Sequence, residues 1–320
     1  MMGRGPGGMM GPGSGNMGMM GTTLVSQRIS GELAMNTIDP MWAQVQGVTV
    51  RVMPMMATEM YGMMNTVELK SLHNGSNMFM YARWYDPNPS VFKKVWVKTV
   101  NGWQKSRKDE DRIAFMWNIS QSMSFSMMGR GMGPGMMGGC MLLCHVDPHD
   151  PSKLTMSTAN VGGVVDLWHW KSARTNPAGF ADDQYLDTEK RKNDAGTAVY
   201  ADNKTGDGTV PAYMFPGGTG TTPFLFTSEA VPFNDALFAV NDRLPGYVLG
   251  YPTGDRASVE AYGVWVNSYW TVVLKRSLTT GSGTDVQFTP DTAYPFAIAI
   301  FDNAGDEKHL KSMIMNFMME

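Results

Sequence analysis

Val67-Glu68-Leu69-Lys70-Ser71-Leu72-His73-Asn74-Gly75-Ser76-Asn77-Met78-Phe79-Met80-Tyr81-Ala82-Arg83-Trp84 decides the fold class. Two alternating runs, 67–72 and 77–84, flank the turn signal His73-Asn74-Gly75-Ser76, so the stretch reads as a β-hairpin. Similar runs recur at Thr49–Met53, Arg112–Ile119, Tyr262–Val266, Trp270–Arg276 and Phe296–Phe301, separated by turn-rich segments such as Gly281-Ser282-Gly283-Thr284. Helical periodicity is weak, with short helices expected only around Asp187–Asn193 and Asn234–Val240. Strands at this spacing predict an all-β chain: an antiparallel β-sandwich with long loops and a few short helices.

The organisation follows from composition. A chain of 320 residues can bury a full core. Met1–Gly21 and Met127–Gly139 are matching tracts that share the start Met-Met-Gly-Arg-Gly. Gly and Pro at this density exclude regular helix and strand. Residues 1–21 are therefore expected to be an irregular arm. Residues 22–320 are read as a single domain, with a Met/Gly-rich loop at 126–139 and a long excursion at 186–232. Methionine, at 31 residues, is the outlying count. Its soft side chain suits packing against a flat ligand or a neighbouring chain. Thioethers also bind Cu(I), and the bland alternative is a flexible linker. The net charge of −3, with no basic run, excludes nucleic acid as a partner. No apolar stretch is long enough for a spanning helix.

The second tract leads into Gly139-Cys140-Met141-Leu142-Leu143-Cys144-His145, which holds the only two cysteines of the chain. Two thiols followed by an imidazole form the covalent haem attachment pattern, here one residue longer than C-x-x-C-H. The thiols would bond the porphyrin vinyls, and His145 would take an axial iron position. A disulfide across so short a step needs a strained turn, and a zinc site lacks a finger-like ligand arrangement. Covalent attachment takes place outside the cytoplasm, so a periplasmic or extracellular protein with its leader removed is expected.

Several segments, in this order, carry a resemblance. They are Ala82-Arg83-Trp84-Tyr85-Asp86-Pro87, Asp111-Arg112-Ile113-Ala114-Phe115, and Val165-Asp166-Leu167-Trp168-His169-Trp170-Lys171 with Arg174. Ala261-Tyr262-Gly263-Val264-Trp265, Trp270–Leu278 and Phe296–Asn303 follow. From about Glu68 to the C-terminus the chain resembles the haem-binding γ subunits of type II molybdenum enzymes. These include ethylbenzene and dimethylsulfide dehydrogenases, chlorate and selenate reductases, and nitrite oxidoreductase. The resemblance implies a non-covalent haem b held on a β-sandwich between Met and Lys ligands. Met156 matches the first. Lys311 matches the second by spacing, but His309 would face the same way on an extended chain, and imidazole is a better-known iron ligand. The insertion with Cys140, Cys144 and His145 is similar to the two-haem branch typified by nitrite oxidoreductase, and implies an added haem c. A single haem gripped by His145 and Met156 is the rival arrangement. For the sixth ligand of the haem c, a Met from either tract is the most economical choice. His149 is too close in sequence to His145, His73 sits in a turn, and His169 between two large aromatics reads as a structural residue.

Two acidic groups offer hard oxygens suited to calcium: Asp147-Pro148-His149-Asp150-Pro151, and Asp182, Asp183 and Asp187. A solvated acidic turn is the commoner explanation. No nucleotide-binding loop or hydrolytic acid–base pair is present. The expected function is electron transfer without catalysis, since irons ligated on both faces leave no open position. The partner would be a redox protein or molybdenum and iron–sulfur subunits. The alternative is a structural subunit of an extracellular cytochrome filament, in which the Met/Gly tracts dock into neighbouring copies.

Overall fold

A computed structural model gives the structure of the chain and describes residues 22–54, 64–119, 156–158, 163–305 and 309–320. In chain order its strands are β1 (Thr23–Arg28), β2 (Val48–Pro54), β3 (Asn65–His73), β4 (Asn77–Tyr85), β5 (Trp96–Thr99), β6 (Gly102–Lys105), β7 (Arg112–Asn118), β8 (Val165–Lys171), β9 (Asp182–Leu186) and β10 (Arg191–Asn193). Eight strands of two or three residues, β11 to β18, lie between Gly196 and Gly254. Then come β19 (Glu260–Val266), β20 (Tyr269–Ser277), β21 (Tyr294–Phe301), β22 (Leu310–Ser312) and β23 (Met315–Met319).

The β3–β4 hairpin forms where the alternation predicts it. Asn74 Oδ1 accepts from the N–H groups of Ser76 (3.0 Å) and Asn77 (2.8 Å). Gly75 takes φ +89°, a conformation that costs glycine no Cβ clash. From the hairpin one large sheet grows in the order β10-β9-β8-β7-β21-β22-β2-β3-β4-β20-β19. It folds back on itself because two strands divide their partners. β21 pairs with β23 through Tyr294–Phe296 and with β22 through Ala299 and Ile300. β3 pairs with β2 along its first half and with β1 along Ser71–His73. The result is a sandwich of two leaves joined along one side. Its pairings are antiparallel except at β1, which runs parallel to both β3 and β23.

The core fills the space between the leaves with aromatic rings. Trp170 of one leaf meets Trp270 and Trp84 of the other, edge to face, at 5.1 and 6.3 Å. Trp117 stacks on Phe296 at 4.6 Å and meets Phe317 at 5.5 Å. Rings of this size dominate core energetics, and edge or offset pairs add to their burial.

Three expectations change. Residues 187–193 form a turn and the strand β10 rather than a helix. Asp187 Oδ1 accepts from the N–H groups of Glu189 and Lys190, which reverses the chain, and Arg191 then pairs with Leu186. Around Asn234–Val240 there is one 3₁₀ turn, Asp235–Leu237, capped by the Asn234 side chain. The excursion expected over 186–232 instead leaves the main sheet after Asn193 and returns at Glu260. Its own small core holds it: Trp96, Met214, Phe215, Leu225, Phe238 and Leu244 cluster, with Trp103 of β6 against Phe233 and Phe238. The arm 1–21 and the loop 126–139 lie outside the described residues. Among the described residues no helix is long and apolar enough to cross a membrane.

Candidate functional site

Strand register puts Asp182, His169, Ala114, Ala299, Lys311 and Met53 in one row across β9, β8, β7, β21, β22 and β2. Directly opposed residues share a face, and alternate residues along a strand return to it. The flanking rows on this face are therefore Leu167–Met116–Ala297 and Lys171–Arg112–Phe301. The other face of the same strands carries Trp168, Phe115 and Ile298 into the core.

Three alanines, Ala114, Ala297 and Ala299, form the floor of this outer face together with Met116, Val165 and Leu167. Short side chains in adjacent strands leave a broad, flat apolar surface. Met156 packs onto it, with its sulfur 3.6 Å from Arg191 Nη1. Lys311 is buried directly beside Ala299. His309 lies against Phe301, ring centroids 5.0 Å apart, and His169 lies against the same ring at 5.7 Å. Folding thus brings Met156, Lys311 and His309 to one face. Cys140, Cys144, His145 and His149 lie outside the described residues. His73 is elsewhere, with Nε2 3.0 Å from the Glu320 carbonyl.

A cavity of about 430 Å³ opens beside this floor. Lys93, Lys94, Arg112, Lys171, Arg174 and Arg191 line it against one acid, Asp109. Lys93 pairs with Asp109, Lys171 with Asp182 (2.5 Å) and Arg174 with buried Glu110. Burial pulls the Asp182 carboxyl up, but Lys171 and Arg256 outweigh it and hold it below the usual carboxylate range. Arg112 stands over the Phe301 ring at 4.1 Å. The arrangement suits a flat apolar group with anionic ends: alanines for the face, guanidinium and ammonium groups for the carboxylates.

His169, which the sequence reads as structural, lines the cavity and is buried. Neither of its ring nitrogens has a hydrogen-bond partner among the described residues. Burial first, then the charges of Lys171, Arg112 and Arg191, hold its imidazole well below the ordinary value, so it is neutral. A buried imidazole in this state calls for a ligand or an acceptor. The signal was a polar ring between two tryptophans, on the strand face shared with Lys171. Asp182, Asp183 and Asp187 do not make one site. Asp182 faces Lys171, Asp183 points to the opposite face, and Asp187 pairs with Lys192. Successive strand residues alternate sides, so neighbours in sequence are separated in space.

No curated protein sequence matches the chain. Among solved structures, a family 9 carbohydrate-binding module from Caldicellulosiruptor kristjanssonii in complex with glucose is 6% identical, with TM-score 0.40, covering 93% of this chain and 96% of that one. A Bacteroides uniformis protein described as carbohydrate-binding is 8% identical, with TM-score 0.40, covering 94% and 100%. Likenesses this weak say nothing of what this chain binds. The family model described as ethylbenzene dehydrogenase matches residues 39–312, through every strand of the apolar face and the cavity beside it, and on that match the chain belongs to the ethylbenzene dehydrogenase family.

Proposed function

We propose that this chain is the haem-carrying, electron-transferring subunit of a periplasmic molybdenum oxidoreductase. The family's membership in molybdenum enzymes supports the reading. The observation that carries it is the meeting of Met156 and Lys311, distant in sequence, on one alanine-floored face beside a cation-lined cavity. A haem b would be held there by Met156 and Lys311, with its propionates toward Arg112, Lys171 and Arg191. When bound, the haem supplies one-electron exchange at iron.

The chain's own residues set the conditions of that exchange. The Met156 thioether is a soft ligand and raises the potential of the iron it binds. The floor of Ala114, Ala297 and Ala299 excludes water from one edge of the site. The ion pair to Asp182 fixes Lys171, so this cation is preorganised to meet a propionate, and Glu110 holds Arg174 beside it. Cys140, Cys144 and His145 would hold a second, covalent haem c, a part of the reading that rests on sequence alone. The chain would relay electrons rather than catalyse.

The test is a pyridine haemochrome spectrum before and after acid–acetone extraction. A b-type band that extracts and a c-type band that stays are expected. In Lys311→Ala the extractable band should fall to background, while His309→Ala should retain it. The reverse result would make His309 the ligand. A retained c-type band alone would remove the haem b, and absence of any haem would sink the whole reading.

A further inference from the structure

On the opposite side of the same strands lies a cluster of acids unrelated to the haem reading. Asp166 of β8, Asp183 of β9, Asp194 just after β10 and Asp285 of the segment between β20 and β21 surround Arg276 of β20. All five are no more than 5% exposed. Arg276 is committed: Nη1 bonds Asp166 Oδ2 at 2.6 Å, and Nη2 donates to the Val286 carbonyl at 2.7 Å. Its further ion pair, at 3.3 Å, is with Asp285 Oδ2.

Asp183 and Asp194 each use one carboxylate oxygen. Ser258 Oγ donates to Asp183 Oδ2, and Thr284 Oγ1 donates to Asp194 Oδ1 at 2.5 Å. Asp183 Oδ1, Asp194 Oδ2 and both Asp285 oxygens have no hydrogen-bond partner among the described residues. One oxygen from each of the three acids lies within 4.8 Å of the others. Four buried carboxyl groups share a single guanidinium. Buried carboxylates of this kind are paired, protonated or bound to metal.

We propose that Asp183, Asp194 and Asp285 bind a divalent cation of the calcium class. Two oxygens on one Ca²⁺, each bonded at 2.3–2.6 Å, stand at most about 5 Å apart, which the cluster satisfies. An all-carboxylate buried site suits Ca²⁺ better than Mg²⁺, which keeps several of its waters. The ion ties the root of the excursion, at β9 and Asp194, to the β20–β21 segment. It joins segments that are about ninety residues apart in sequence or further.

Full-length protein stripped with EDTA and titrated with CaCl₂ tests the assignment. One Ca²⁺ per chain and a rise in Tm on the order of 5 °C at saturation are expected. The double variant D194N/D285N should lose both, and D187N should keep both. A wild type that neither binds nor shifts, or a double variant that behaves as the wild type, overturns the proposal. Tb³⁺ read in the wild type keeps the test decisive if the double variant does not fold. Trp168 pairs directly with Asp183 across β8 and β9, so tryptophan-sensitised emission that Ca²⁺ displaces is expected, and its absence overturns the site.

Discussion

Asp111 ties the start of β7 to three other segments. Its Oδ2 accepts from the Ser90 N–H (2.5 Å) and Trp270 Nε1 (3.0 Å), and its Oδ1 accepts from the Asn303 N–H (3.0 Å). Burial, reinforced by nearby Asp86, pushes this carboxyl up to about 8. The folded chain therefore holds the proton to a higher pH than the unfolded chain, where the carboxyl ionises near 4. Its contribution to stability is full below about 4 and is lost as the pH rises through about 8. In Asp111→Asn the amide faces donors, so the variant should lose about 1–3 kcal/mol at pH 5. Its deficit relative to wild type should narrow at pH 8. Thermal melts at both values check this, and a deficit that stays constant or widens contradicts the assignment.

At the scale of elements, the contact between β8 and β19 depends on a missing Cβ. A Cβ at Gly263 would lie 2.2 Å from Trp170 Cζ2. Asn176 locks the approach by donating to the Gly263 carbonyl (3.0 Å) and accepting from both the Gly263 N–H (2.7 Å) and Trp170 Nε1 (3.0 Å). Gly263→Ala should lower the unfolding free energy by about 1–3 kcal/mol through overpacking. An unchanged denaturant midpoint would mean that Trp170 moves aside without cost. The same scale explains what was legible. The β3–β4 hairpin could be read because its alternation and turn residues are local. The 187–193 helix could not be judged, because the fate of that segment is set by pairing with Leu186 and Tyr185 across the hairpin.

For the whole molecule, the sheet closes on itself at one seam. β23 bridges β1 and β21, and its Phe317 is fully buried against Trp117 and Phe288. Phe317→Ala should cost about 3–5 kcal/mol, measured by equilibrium denaturation. A loss under about 1 kcal/mol, far below that range, would show that the seam is not held by this ring. The sequence by itself determined the all-β class, the strands β2, β3, β4, β7, β19, β20 and β21, and the family, because these are written in alternation, local hydrogen bonding and ordered motifs. It also named Met156, Lys311 and His309, but as isolated positions with their roles implied by resemblance. Only the tertiary structure decided that they share a face with three alanines and His169, and that Asp183 meets Asp194 and Asp285. Both groups of residues are assembled by pairing between segments far apart in the chain, and which face a residue occupies is fixed by register, a long-range property that no local pattern records.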